Sequence, residues 1–355
     1  MRRTTAFVLT LLCAGALLAQ DARRGEDARQ PVLRLVHQNP APVITVAHPD
    51  AAGNKYGFEG GRVVKVGGVY QLFTSEMVGD PQWVKMKLGR WTSRDGLQWK
   101  RAGTLYESSG EFAGKDPRAS LWAPMPVYDD AEKRWNLFYV AYRSAPDVPE
   151  LWLSNYDAQI WRAVSETGGE DGIAGPYRDV GVVLQPGADS DLWEGLQGTD
   201  SFFAYRTAHG WYGLYGSART EINPIRFWGV GLVSAPAIGG PWKRVSALNP
   251  LPLEKRFAEN PIVEPLPHGG YMAVYDVDLE ARNSIGYAYS ADGIHWNPGR
   301  RLVIQPTAGQ WATTVRTPLG LVAEGDGTYS LFYTGEQKQQ PHSVFSIGMV
   351  TLRLE

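Results

Sequence analysis

The chain has 355 residues with 35 basic and 37 acidic side chains, a formal net charge of −2. That balance gives no electrostatic reason to expect nucleic acid or an anionic membrane surface as a partner. Gly (40), Pro (24) and 12% aromatics, with no long 3.6-period run, exclude a helical bundle and point to many short strands and turns.

Met1-Arg-Arg followed by an apolar run through Leu18 reads as a secretory signal peptide over residues 1–20, too short to be a stable span. A secreted or periplasmic protein is therefore expected, with no membrane contact after cleavage. The only cysteine, Cys13, lies in this leader, so the mature chain must hold together without a disulfide. Leu11-Leu12-Cys13 has Leu where a lipoprotein box needs a small residue, which argues against lipidation. Residues 21–41 are expected to be a flexible lead-in, and 42–355 a single domain.

Pro42 to His48 reads as a lone strand with no hairpin partner before it. After it, one hairpin pattern recurs: a first residue, often acidic, opens an apolar run, a turn follows, and an aromatic begins a second run. Glu59-Gly-Gly-Arg-Val-Val, Thr199-Asp200-Ser-Phe-Phe and Glu259-Asn-Pro-Ile-Val are the strong copies. Trp122-Ala-Pro-Met-Pro-Val and Arg316-Thr-Pro-Leu-Gly-Leu are weaker ones. The second-run aromatics Tyr70, Trp135, Tyr212, Tyr271 and Tyr329 fall roughly 60–80 residues apart, a period that suits propeller blades.

Short runs close the units at Gly103–Tyr106, Val180–Leu184, Leu248–Leu253 and Arg301–Ile304. The last unit ends at Leu352 without a closing strand, so Pro42–His48 is expected to supply it beside Ile347–Leu352. Asp95-Gly96 before Trp99, and Asp292-Gly293 before Trp296, read as turns with an indole packed beneath. The expected fold is all-β: a five-bladed propeller of four-stranded antiparallel blades, closed by the N-terminal strand.

In a propeller the first strands line the axis, so residues opening them converge. Counting back from each aromatic places Ala123, Asp200, Glu259 and Thr317 at one level, with Glu59 one position off. Three carboxylates around one cavity repel, which raises at least one pKa and suits acid/base chemistry. Zinc-spaced His/Cys clusters, a P-loop and Gly-x-Ser-x-Gly are all missing from the sequence, so no cofactor is expected; an ion in the channel stays open.

These motifs resemble the five-bladed glycoside hydrolases of family 43, the arabinanases, xylosidases and arabinofuranosidases. Glu59-Gly-Gly-Arg-Val-Val stands where the family has Asp-Pro and its catalytic base. Trp122-Ala-Pro matches Trp-Ala-Pro-Asp, with Met125 in place of the acid, and Asp200 is similar to the pKa-modulating Asp. Glu259-Asn-Pro looks like the general acid's Glu-Gly-Pro, while Thr314-Val-Arg-Thr replaces the His-Gly pattern.

The resemblance implies a glycosidase acting on a carbohydrate. Glu259 would be its acid, Glu59 its base and Asp200 the modulator, with Trp122, Arg316 and Arg62 binding sugar. Glu76 and Asp276 are the next candidates for the base. The rivals are a non-catalytic carbohydrate-binding propeller and a phosphorylase with a phosphate pocket from Arg62, Arg118 or Arg316. The sequence says nothing of oligomeric state.

Overall fold

The computed structural model describes residues 30–51, 53–146, 154–222, 224–277, 283–305, 311–339 and 342–355. The expected signal peptide, with Cys13, lies outside the described residues.

The chain is built of antiparallel sheets. After β1 (Leu33–Gln38), a first set is β2 (Gly57–Val66), β3 (Val69–Met77), β4 (Met86–Ser93) and β5 (Trp99–Glu107). A second is β6 (Ser120–Asp129), β7 (Arg134–Ser144), β8 (Asn155–Ser165) and β9 (Tyr177–Leu184). A third is β10 (Asp200–Thr207), β11 (Gly210–Ala218), β12 (Trp228–Ala235) and β13 (Lys243–Arg244), and a fourth is β14 (Ala258–Pro265), β15 (Tyr271–Val277), β16 (Ser284–Ser290) and β17 (Arg300–Val303). The last strands are β18 (Thr314–Ala323), β19 (Thr328–Lys338) and β20 (Ser343–Leu354), with β1 paired to β20. Within each set, neighbours in sequence are neighbours in the sheet.

Burial follows position in the sheet. β3 and β7 are buried almost end to end because other sheets cover both faces, whereas β5 and β9 alternate between covered and exposed residues. The first strands touch in order: β2 contacts β6, β6 contacts β10, β10 contacts β14, β14 contacts β18, and β18 contacts β2. The last and first sheets also meet where Gly57 pairs in parallel with Phe345. A side chain at Gly57 would drive its Cβ into the Phe345 carbonyl, at 1.8 Å, so only glycine permits this approach.

Two expectations about strands are corrected. The strand beside the C-terminal strand is Leu33–Gln38, inside the stretch read as a flexible lead-in, with Leu33 opposite Leu354. Pro42–His48 contributes only a bridge from Ile44 to Ile347, because the chain then turns through His48 N to Thr45 O and Ala51 N to His48 O. Leu33 is the one fully buried residue of β1, so the strand is held by backbone bonds and leaves little hydrophobic pattern to read.

In the third sheet the fourth strand is Lys243–Arg244 and not Leu248–Leu253. There the Asn249 amide stands in for a strand, accepting from Leu232 N at 2.7 Å and donating to Leu232 O at 3.2 Å. Pro250 and Pro252 carry no N–H to continue a ladder. The two Asp-Gly turns are as expected: Asp95 and Asp292 each accept from the two backbone N–H groups beyond the glycine. Trp99 is buried under the first and donates to Gly96 O at 2.8 Å.

Candidate active site

Four first strands share one irregularity. Their ladders slip between Glu59 and Gly61, Trp122 and Met125, Asp200 and Phe203, and Glu259 and Ile262. The residue in each slip has a left-handed backbone: Gly60 (φ 67), Ala123 (φ 48), Ser201 (φ 52) and Asn260 (φ 52). In the fifth first strand the ladder slips between Val315 and Pro318, around Arg316 and Thr317. A bulge re-aims the neighbouring side chain. Here the residues before these positions, Glu59, Trp122, Asp200, Glu259 and Arg316, all line one cavity of about 50 Å³.

Aligning on the bulge corrects the count made from the turn side. Trp122 and Arg316, rather than Ala123 and Thr317, share the level of the three carboxylates. The hairpin loops differ in length, so the distance back from the aromatic drifts by one residue.

The next residues inward are joined across sheets. Ser201 Oγ lies 2.8 Å from Asp200 Oδ1 and 3.1 Å from Asn260 Oδ1. Asn260 Nδ2 donates to Thr317 Oγ1 at 3.4 Å, and Thr317 Oγ1 donates to Glu59 Oε1 at 3.3 Å. This polar chain ties the fourth first strand to the third, the fifth and, through Thr317, the first.

The carboxyls sit in different fields. Burial pushes the Glu259 pKa well above the usual carboxylate range; the Asp200 charge pushes the same way and Arg316 opposes it. Among the described residues, no side chain is hydrogen-bonded or ion-paired to the Glu259 carboxyl. Burial also raises the Asp200 pKa, against hydrogen bonds from Ser201, Tyr142 and Gln197. Glu59 is ion-paired: Arg316 Nη2 lies 2.8 Å from Glu59 Oε1, and Arg316 Nε 3.3 Å from Asp276 Oδ2. Burial works against the Arg316 charge, but Glu59, Asp276 and Glu259 outweigh it and hold the guanidinium firmly protonated.

Arg62 is not in this cavity. It lies three residues further along β2, donates to Glu264 Oε1 and Pro126 O at 2.8 Å each, and packs its guanidinium over Phe203 at 4.7 Å. Bulge geometry explains the miss: past the slip, β2 leads away from the carboxylate level. The phosphate pocket does not assemble either, since Arg62, Arg118 and Arg316 pair separately with Glu264, Asp179 and Glu59. Glu76 is committed to its sheet, accepting from Trp91 Nε1 at 2.8 Å and from Arg101 at 3.0 and 2.7 Å.

Trp83, Tyr142, Asn155 and Gln197 complete the wall, and the repeat gave no sign of them because none opens a first strand. Trp83 has φ 78, a strained conformation for a bulky side chain. Its carbonyl is clamped by Ser120 Oγ at 2.6 Å, Trp122 Nε1 at 3.1 Å and Asn155 Nδ2 at 2.9 Å. The two indoles lie 5.9 Å apart at 41°. Among the described residues no group of three or more His, Cys, Asp or Glu side chains is placed to hold a metal ion.

No family model matches the chain, and no curated protein matches it in sequence. Solved structures do match in fold. A family 117 glycoside hydrolase from the marine bacterium Zobellia galactanivorans superposes with a TM-score of 0.62 at 14% identity, over 91% of this chain and 90% of that one. BT0996 in its RGII complex gives 0.66 at 15% identity, over 94% of each. A thermostable family 43 glycoside hydrolase gives 0.53 at 16% identity, over 87% of this chain and 91% of that one.

The fold is that of the propeller-type glycoside hydrolases. Glu59, Asp200 and Glu259 gather near the ends where the first strands β2, β10 and β14 begin, and Arg62 with Glu264 lies further along β2 and β14. The family resemblance read from the hairpin motifs is thus matched by the fold, at identities too low to carry a substrate.

Proposed function

We propose that the protein is an exported glycoside hydrolase whose five sets of strands form a closed five-bladed ring around this cavity. The cyclic order of first-strand contacts and the β1–β20 pairing support the ring, and the N-terminal leader supports export. The observation that carries the catalytic reading is the asymmetry between two glutamates in one cavity. Burial and the Asp200 charge push the Glu259 pKa well above the usual carboxylate range, while Glu59 sits 2.8 Å from a guanidinium.

In this reading Glu259 gives its proton to the glycosidic oxygen as the bond to the anomeric carbon breaks. Glu59 takes a proton from the water that forms the new bond on the opposite face. Separate acid and base imply inversion, which needs carboxyls about 6.5–9.5 Å apart. A cavity of about 50 Å³ suits one or two waters. The sugar ring would then lie at the mouth against Trp83 and Trp122, whose faces suit its apolar side.

One observation favours a second reading, a saccharide-binding propeller without turnover: Arg316 and Thr317 already occupy Glu59 Oε1. Hydrolysis assays over aryl furanosides, aryl pyranosides and unactivated oligosaccharides separate the two. The hydrolase reading expects turnover that Glu259→Gln lowers by about 10²–10⁴ on an unactivated substrate, with binding retained. Sugar binding by the wild type with no hydrolysis of any substrate would establish the second.

A further inference from the structure

Gln197 stands on the connection between β9 and β10, three residues before Asp200, and is 1% exposed. Its backbone is held from two sheets: Ala158 N on β8 donates to Gln197 O at 3.0 Å, and Gln197 N donates to Ala218 O on β11 at 3.3 Å. The next residue is fixed as well, since a Cβ on Gly198 would meet Ala158 N at 2.2 Å. A side chain on a connection is thus placed as firmly as one on a strand, which is what a recognition residue needs.

The two ends of its amide differ. Nε2 donates to Tyr142 Oη at 3.1 Å and to Asp200 Oδ2 at 3.3 Å, and Tyr142 in turn donates to Asp200. Oε1 is buried, and among the described residues no group donates to it. Turning the amide over would set its oxygen against the Asp200 carboxyl and the Tyr142 oxygen, so the partners fix which end is which. Gln197, Tyr142 and Asp200 all line the cavity of Glu59 and Glu259, and Oε1 shares a carbon with the nitrogen that joins the other two.

A buried acceptor without a donor is costly, and a ligand that brings the donor recovers that loss. Donors on the same wall are already engaged: Trp122 Nε1 and Asn155 Nδ2 reach Trp83 O, and Asn260 Nδ2 reaches Thr317 Oγ1. The cavity, of about 50 Å³, is far below the ~300–1,000 Å³ of a pocket that encloses a whole ligand. A hydroxyl of the sugar therefore enters it, and the ring stays at the mouth.

We propose that Gln197 is a specificity-determining residue: its Oε1 accepts a hydrogen bond from one ring hydroxyl, away from the reacting carbon, and so selects sugars in which that hydroxyl is present and unsubstituted. The proposal rests on the cavity being a sugar site, which the hydrolase and the binding readings share. A site built for a hydroxyl rejects the analogue lacking it more strongly than an apolar pocket could, because its own polar group is then left unpaired.

The test is calorimetric titration of the full-length Glu259→Gln protein with the methyl glycosides of L-arabinofuranose, D-xylopyranose, D-galactopyranose and D-glucopyranose, each beside its monodeoxy derivatives. In a series that binds, one monodeoxy analogue should bind about tenfold to a hundredfold more weakly than its parent. Adding Gln197→Met, which keeps the volume and removes the acceptor, should weaken the parent to the level of that analogue and leave the analogue where it was. Gln197→Glu keeps an oxygen at the position and should restore the preference, which separates loss of the acceptor from loss of the fold.

Equal penalties for every missing hydroxyl, or a single penalty that persists in Gln197→Met, would overturn the proposal and leave the sugar site standing. Failure of all four series to bind would overturn the sugar-site reading, and the proposal with it.

Discussion

Arg316 is the cation that holds the carboxyl cluster together, and replacing it with methionine measures how much. Its side chain is 7% exposed, against 4% for Glu59 and 1% for Asp276, so solvent screens the contacts weakly. Methionine keeps most of the volume and removes the charge. Breaking a buried pair costs about 3–5 kcal/mol, since the remaining carboxylates lose their shared cation in a desolvated site. At ~2–4 °C per kcal/mol for a domain of this order, the melting temperature should fall by on the order of 10 °C at neutral pH.

The sign with pH follows from the carboxyls. Arg316 holds the Glu259 pKa down, so its loss raises a folded-state pKa that is already above the unfolded value. Relative to wild type, that further rise costs nothing while Glu259 is protonated in both folded proteins and sets in only as pH rises through the wild-type folded-state pKa. The main pH dependence comes from the ion pairs to Glu59 and Asp276, which wild type also loses once its paired carboxylates are protonated, so calorimetric melts of wild type and Arg316→Met should show a smaller deficit at about pH 3 than at pH 7.5. Equal deficits at both values, or a neutral-pH loss under about 2 °C, would refute the electrostatic account of this cluster.

Three further outcomes follow from the same geometry. Asp200→Asn removes the charge that helps keep Glu259 protonated, so the upper limb of the kcat/KM profile should move to lower pH; an unmoved limb would assign the modulation elsewhere. Trp83→Gly suits a backbone at φ 78, so the melting temperature should hold while KM rises about tenfold for loss of an aromatic face; an unchanged KM would remove Trp83 from the sugar site. Deleting residues through Gln38 strips β1 from β20 and exposes a sheet edge, which should lower the melting temperature by on the order of 10 °C. A melt indistinguishable from wild type would mean that β1 contributes nothing to the last sheet.

The repeat was legible in the chain alone. Alternating apolar runs, Asp-Gly turns and an aromatic opening each second strand are local signals, because they depend on the two-residue period of a strand and on turn chemistry. They were enough to place Glu59, Asp200 and Glu259 at strand openings and to expect them around one axis. The same count put Ala123 and Thr317 at that level, one residue past Trp122 and Arg316, because loop lengths differ between hairpins.

What the tertiary structure decided lies where contacts are distant in the chain. β1 carries one buried side chain and is a strand only because β20 offers it backbone partners some 300 residues away. Arg62 shares a strand with Glu59, yet the bulge at Gly60 and the partner Glu264 on another sheet take it out of the cavity. Trp83 reaches the site from a loop and is locked there by donors from the second sheet. The fields that separate Glu259 from Glu59 arise from Asp200 and Arg316, each brought from a different sheet. A strand pattern specifies which residues face inward, but the charge each one meets is set by whatever the neighbouring sheets bring to the same depth.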